Sequence, residues 1–338
     1  MLHKIQESVK LLNREYLQSF SVSPESRTQD LQDIVLFLEE RCRTEHTFFV
    51  HGRGKRKSRN QRYFELFHRF LERQTIYDWH TASFQGRNNY CKTDPDAAFM
   101  HMKDDHMRNG QLKPGYNLQI GVISEYISSY EIFSNPSDSK TLIPFLEKIS
   151  SQNLEIKNIV ADAGYESISN YEYLEKMDYT SYIKPIYFEK SKIRKFKNDL
   201  NRVENLIYNH SENKLFRKDG LELEFLYSNK NNTVQYFWNP ETNKKIKYNA
   251  RFRILSNKSK ENVSSNYGKQ LRMNRSIQVE GAFAVLKEDM KLRKLKVRSK
   301  KSVLREICLF CIAYNFNRYL SRNINNRLGT TLHSLKVA

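Results

Sequence analysis

The sequence predicts an α/β fold: a mixed sheet flanked by helices, with an N-terminal helical segment before it and a β-rich insertion within it. Three observations carry this. Residues 116–134 alternate polar and apolar at period two, the signature of half-buried strands. Residues 135–183 then switch between helical periodicity and short apolar runs, as helices on the faces of a sheet require. Apolar residues make up 39% of 338, enough for a real core, and Gly (11) and Pro (7) are too scarce for a collagen-like or low-complexity chain.

Residues 1–85 read as helical. Leu31, Ile34, Val35 and Leu38 fall at i, i+3, i+4, i+7, and Tyr63 to Trp79 is a second, aromatic-rich helical stretch. The Gly52-Arg-Gly-Lys55 segment between them is a loop without Walker spacing. From residue 86 the texture becomes turn-rich. Tyr116–Ser124 and Tyr126–Ser134 then read as adjacent antiparallel strands joined by a tight turn. Asn135-Pro-Ser-Asp138 starts a helix, with Ser137 or Asp138 as its cap and Leu142–Ile149 as its amphipathic body. Ile156–Ala161 is a strand, Ser167–Met177 a helix, and Thr180–Ile183 a strand stopped by Lys184-Pro185.

Residues 186–262 are polar and Asn- and Lys-rich, with strand candidates at Leu221–Tyr227, Thr233–Trp238 and Lys247–Ile254. They read as the β-rich insertion. Helical texture returns from Gly268 to Met290. A last helix carries Leu304, Ile307, Cys308 and Cys311, with Leu309, Ile312 and Phe316 on its other side, and a helix apolar all round is expected to be buried. The expected domains are therefore a helical segment at 1–85, a catalytic domain built from 86–185 and 263–325, and the insertion at 186–262.

The longest apolar run, Ile307–Tyr314, falls far short of the ~20 residues of a membrane span, and the N-terminus has no signal-peptide h-region. Four cysteines make no disulfide scaffold, so a soluble, reducing, cytoplasmic setting is expected, and the family resemblance given below implies association with the nucleoid. Cys308-x₂-Cys311 has no second pair and reads as core. His101 and His106, five apart, share no metal-binding helix face, and no zinc is expected.

Charge speaks to partners. Lys+Arg is 57 against Asp+Glu 38, a net +19, and it is clustered. His51–Arg62 holds Arg53, Lys55, Arg56, Lys57, Arg59 and Arg62 with no acid, and Lys287–Lys301 holds eight cations, among them Lys291 and Arg293, against Glu288 and Asp289. Such runs are either a solvated surface or a binding face for a polyanion; two of them on so basic a chain favour nucleic acid.

Two carboxylates stand out. Asp162 ends a short strand and precedes Ala163-Gly164-Tyr165 and a helix, the edge of an α/β sheet where ligands bind. Gly164 is expected to turn the backbone sharply there. Asp162 is either an oxygen ligand for a divalent metal or a cap on the next helix. Glu280 lies in an amphipathic helix beside the apolar Val279, Phe283 and Leu286. It is either a surface residue or a buried charge that needs a partner or a metal. Arg275 and Lys287 on the same helix can reach a phosphate, as can Lys184.

Several segments taken together resemble bacterial insertion-sequence transposases of the DDE class. They are Arg87-Asn-Asn-Tyr-Cys-Lys-Thr-Asp-Pro-Asp-Ala97, Met102-Lys-Asp-Asp-His-Met107, Asn109-Gly-Gln-Leu-Lys-Pro-Gly-Tyr-Asn-Leu-Gln119, Asn135-Pro-Ser-Asp138, Ala161-Asp-Ala-Gly-Tyr165, Tyr182-Ile-Lys-Pro185, Val279-Glu280 through Lys287, and Ala313-Tyr-Asn315. The resemblance covers roughly residues 85–185 and 265–320. It implies a ribonuclease H-like catalytic domain. It also implies three carboxylates holding two Mg²⁺ (or Mn²⁺) ions that activate a water or a DNA 3′-hydroxyl for cleavage and strand transfer. Asp162 is then the second acid and Glu280 the third. Double-stranded DNA, the terminal inverted repeats of an element, is the partner, with a homodimer as the assembly the family allows.

Two departures follow. The family tends to place an Arg four residues before the Glu, whereas Arg275 is five before and Ser276 stands in the expected place. The family's first acid ends a first strand in an Asp-Gly-Thr-like context, which this sequence does not offer. Asp94 and Asp96 are the nearest replacements, in a turn-rich setting that favours structural roles. The expectation is a truncated, impaired transposase. The alternatives are a non-catalytic DNA-binding remnant that titrates element ends or a full-length partner, and a general nuclease of the same fold.

Overall fold

The computed structural model describes residues 2–102, 109–151 and 155–330, in two units, residues 1–90 and 91–338. The Lys103–Met107 part of the quoted motifs, His106 included, lies outside the described residues.

The first unit is a helical bundle of α1 (Leu2–Tyr16), α2 (Arg27–Thr44) and α3 (Arg59–Phe84). Ile5, Val9, Leu12 and Tyr16 recur at helical spacing and pack with Leu31, Ile34, Leu38, Phe67 and Phe70. Ser58 caps α3 by accepting from the Gln61 N–H, and the buried Tyr16 hydroxyl donates to Asn60 Oδ1 at 2.7 Å. Arg53, Lys55 and Arg56 are exposed on the loop between α2 and α3.

The second unit opens with a hairpin that the sequence reading missed, β1 (Ala98–His101) paired antiparallel with β2 (Leu112–Gly115). Lys113-Pro114-Gly115 has turn composition, and Pro is admitted because this is an edge strand. The pair β3 (Asn117–Ile123) and β4 (Tyr126–Phe133) follows as expected. Its turn places Ser124 and Glu125 at φ 50° and 73°, the positive values a tight hairpin turn of the right twist needs. Next come α4 (Leu142–Ser150), β5 (Asn158–Ala161), α5 (Ile168–Lys176) capped by Ser167, and β6 (Thr180–Ile183), with β5 and β6 parallel.

The insertion holds a short helix α6 (Arg194–Lys197) and strands β7 (Ile207–Asn209), β8 (Lys214–Phe216), β9 (Glu222–Ser228), β10 (Gln235–Asn239) and β11 (Lys244–Tyr248), an antiparallel sheet in the order β11-β10-β9-β8-β7. Leu215, Leu223, Phe237, Ile246 and Tyr248 form its core. The expected strand Lys247–Ile254 is not one strand. It ends at Tyr248, Asn249 accepts from the Phe252 N–H, and α7 (Ala250–Ser264) begins. A continuous helical run then spans 266–289: α8 (Asn266–Arg275), a π-helical turn (Ser276–Glu280), α9 (Gly281–Ala284) and a second π turn (Val285–Asp289). The chain ends in α10 (Lys300–Ile324).

The expected single mixed sheet is observed as separate strand pairs: no hydrogen bond joins β3 to β5. Both pairs nevertheless border one apolar cluster, in which Phe133 and Ile159 pack with Leu142, Phe145 and Leu146 of α4. The helical run 266–289 contacts β5 through α8 and β3 through its first π turn. The outer edges are covered. Ser259 Oγ takes the Ile183 N–H and gives its proton to the Ile183 carbonyl (3.1 and 2.8 Å), and Asn315 does the same for Ile127 at the edge of β4. On its other edge β5 pairs with no strand. Lys157 and Ala161 carbonyls accept from the β6 side, so alternate residues Asn158 and Val160 direct their backbone groups away from β6, toward no strand.

Candidate active site at the end of β5

Asp162 emerges from β5 in extended conformation (φ −74°, ψ 168°) and starts a 3₁₀ turn, Ala163–Tyr165. Its carbonyl accepts the Tyr165 N–H at 3.1 Å, but its carboxylate caps nothing. Oδ2 instead accepts from Arg275 Nη2 at 2.6 Å. The Asp162 side chain stays 60% exposed, while the guanidinium is mostly covered at 18%. A contact this open contributes little to stability, so it reports on placement rather than on folding energy.

Gly164 has no positive φ, so a sharp turn is not its role. A Cβ there would lie 3.2 Å from Asp138 Oδ2, a tight contact that glycine avoids, because a carboxylate packs against the turn. Contrary to expectation, neither Asp138 nor Ser137 caps the following helix through a side chain. Asp138 Oδ1 accepts from Asn117 Nδ2 (2.8 Å) and Gln119 Nε2 (3.2 Å), two residues on one face of β3. The Tyr165 hydroxyl donates to Gln119 Oε1. Burial first, and the Asp138 carboxylate second, push the Tyr165 phenol above its ordinary pKa. Asp138, Asp162, Arg275 and Tyr165 thus share one neighbourhood. The Asn117-x-Gln119 alternation was the sequence signal for it.

Glu280 is exposed and has no hydrogen-bond or ion-pair partner among the described residues. It is therefore not a buried charge facing the core. Glu280 ends a π-helical turn, Ser276–Glu280, that follows directly on Arg275, the residue that holds Asp162.

The remaining predicted residues spread from this point. Lys287 is half-buried with its Nζ 5.9 Å from the Phe283 ring centroid. Lys291 is exposed at φ 62°, and Arg293 pairs with Glu288. Lys184 is engaged by Glu189 at 2.8 Å, and with Lys192 it holds the Glu189 carboxyl down at about 2. Asp94 and Asp96 take structural roles. Asp94 accepts from the Tyr116 hydroxyl (2.9 Å) and the Ser299 N–H (3.2 Å), and Asp96 from the Lys300 N–H (2.8 Å), so both secure the start of α10. Cys311 is buried, its thiol pushed up to about 12 by burial. His101 is exposed at the end of β1.

A divalent metal must be tested against this donor set. Asp162 and Glu280 are hard, exposed oxygen donors, suited to Mg²⁺, which takes one or two carboxylates and completes its shell with water and phosphate. Among the described residues no group of three or more His, Cys, Asp or Glu could hold a metal ion. By chemistry each carboxylate suits such an ion; Asp162 is held by Arg275. No helix of the described residues is long and apolar enough to cross a membrane.

Comparison with protein families matches residues 69–316 to the transposase DDE domain. Comparisons with curated proteins and with solved structures gave no match.

Proposed function

The chain belongs to the transposase DDE-domain family, and from that premise we propose that its second unit acts on DNA phosphodiesters at Asp162 and Glu280, in a ribonuclease H-like arrangement. The observation that carries this is the Arg275–Asp162 contact, which brings Asp162 to the helical run on which Glu280 lies, one π turn after Arg275. Asp162 and Glu280 would hold Mg²⁺ or Mn²⁺, and the ion, when bound, supplies Lewis-acid stabilisation of the displaced oxygen. Arg275 has two partners to choose between. Without DNA it neutralises Asp162; with a phosphate at the site its planar fork suits two phosphate oxygens. Asp138 and Tyr165 hold the 163–165 turn and so fix where Asp162 points. Lys287, Lys291, Arg293 and the exposed Arg53, Lys55 and Arg56 neutralise the DNA backbone, here the terminal inverted repeats of an insertion sequence.

The same reading makes the chain a poor strand-transfer enzyme. The sequence offers two of the three acids that the resemblance implies, and among the described residues no group of three or more His, Cys, Asp or Glu could hold a metal ion. A non-catalytic DNA-binding role, titrating element ends or a full-length partner, is favoured by that shortage. Incubating the protein with terminal-repeat DNA and Mg²⁺ or Mn²⁺ separates the two. The proposal expects weak nicking that disappears in Asp162→Ala and in Glu280→Ala. Binding without any nicking supports the titrating role, and robust turnover by the wild-type chain overturns the impairment.

A further inference from the structure

Three cations gather around one carboxylate just past the end of β6, and we propose that Lys184, Lys192 and Arg272 form a subsite for a DNA backbone phosphate, whose place Glu189 holds in the free protein. Lys184 Nζ and Lys192 Nζ each lie 2.8 Å from a different oxygen of Glu189, and Arg272 Nη2 lies 3.8 Å from the oxygen that Lys184 takes. The same three cations stand over the ring of Phe188, a buried residue packed with Tyr182 and Val263, at 5.9, 4.7 and 5.0 Å from its centroid.

The balance of charge points to a ligand. Three cations against one carboxylate leave these four side chains with an uncompensated positive excess. Like charges held this close repel, and a further anion relieves them. The shared ring already holds the cations together, so little freedom is lost when that anion arrives. Glu189 is 55% exposed and Lys192 61%, and a pair that open contributes little, so the carboxylate is easily displaced.

The position says which anion. In the parallel pair β5 and β6, Ala161 stands opposite Ile183, so Asp162 and Lys184 leave the two strands side by side, and the Lys184 N–H donates to the Ala161 carbonyl at 3.4 Å. On α8, Arg272 and Arg275 are three residues apart and therefore neighbours on the helix surface. Arg275 reaches Asp162, and Arg272 reaches Glu189. A polyanion that comes to Asp162 meets this cluster next. The inference rests on the reading of Asp162 as a place where DNA is bound, and extends it to Lys192, Arg272 and Glu189, which that reading does not use. Two ammonium groups act as point charges on a phosphate, and the guanidinium fork suits two of its oxygens.

Fluorescence anisotropy of the full chain with a short DNA duplex of arbitrary sequence, in EDTA and over a salt series, tests it. Glu189→Gln is expected to tighten binding about fivefold, whereas Glu222→Gln, which removes the same charge from a pair with Lys214 in the insertion, is expected to change it by less than about twofold. Lys192→Gln combined with Arg272→Gln is expected to weaken binding about tenfold and to flatten the slope of log Kobs against log salt by about 0.9, one phosphate contact. If the double variant fails to fold, Lys192→Gln alone, at an exposed position, is expected to weaken binding about threefold. Unchanged duplex binding in Glu189→Gln or in the lysine variant overturns the inference, as does a wild type that binds no duplex. So does a Glu189→Gln chain that gains affinity for inorganic phosphate in calorimetry but none for the duplex, because the subsite then serves a free phosphate. Nicking that persists while these effects are absent strikes the subsite alone, and the effects without nicking strike the catalytic reading of Asp162 alone.

Discussion

Gly268→Ala is the substitution that most sharply separates this fold from expectation by helix propensity. Gly268 lies in the first turn of α8, where its N–H donates to the cap Ser265 Oγ at 2.9 Å. In an exposed helix, Gly→Ala stabilises by about 1 kcal/mol. Here an added Cβ would sit 1.9 Å from the Asn262 carbonyl oxygen, 2.8 Å from its carbon and 3.0 Å from Val263 Cα, all of them backbone of α7. Ordinary contact begins near 3.4 Å, so α7 and α8 must separate by more than an ångström. Overpacking of this kind costs about 1–3 kcal/mol or more, which outweighs the propensity gain and leaves the variant destabilised by about 2 kcal/mol. Urea denaturation followed by far-UV circular dichroism measures the stability change. A variant as stable as the wild type, or more so, would refute the close approach and with it the placement of α8.

Other consequences are smaller in scope. Ser259→Ala removes the hydroxyl that serves both backbone groups of Ile183, leaving a buried N–H unpaired, and is expected to cost about 1–3 kcal/mol in a urea titration. Burial raises the phenol pKa of both Tyr165 and Tyr171, so the folded state favours their neutral forms. Stability from both is fully present below pH ~10 and is lost as pH rises toward their raised values, so the urea midpoint falls above pH ~10. Tyr165→Phe is expected to make that fall shallower. Replacing Arg53, Lys55 and Arg56 together by alanine should flatten the slope of log Kobs against log salt for duplex DNA by up to about 2.7, at 0.9 per lost phosphate contact; an unchanged slope removes that loop from the DNA interface.

Much of the fold was legible wherever one periodicity ruled. The strands on either side of the Ser124-Glu125 turn and the strand Thr180–Ile183 follow from alternation and from the Lys-Pro stop. Lys247–Ile254 misled because Tyr248, Ala250, Phe252 and Ile254 alternate with polar residues at period two, while one of those polar residues, Asn249, sets a helix cap. Asn135-Pro-Ser-Asp138 has cap composition, yet its carboxylate is drawn away by two amides on β3, a contact between elements that local pattern does not encode. The five-residue Arg275-to-Glu280 spacing, a departure from the family's four, spans a π turn, which has no short sequence signature. Leu309 and Phe316 were expected inside because the helix is apolar all round, and their exposure is visible only in three dimensions.

The most direct measurement is Mn²⁺ affinity, by electron paramagnetic resonance, of the wild type, Asp162→Asn, Glu280→Gln and the double variant. If the two carboxylates grip one cation, each single variant loses at least about tenfold, or 1.4 kcal/mol, and the pair of losses is non-additive in the double variant. Wild-type affinity in either single variant would contradict a shared ion at Asp162 and Glu280.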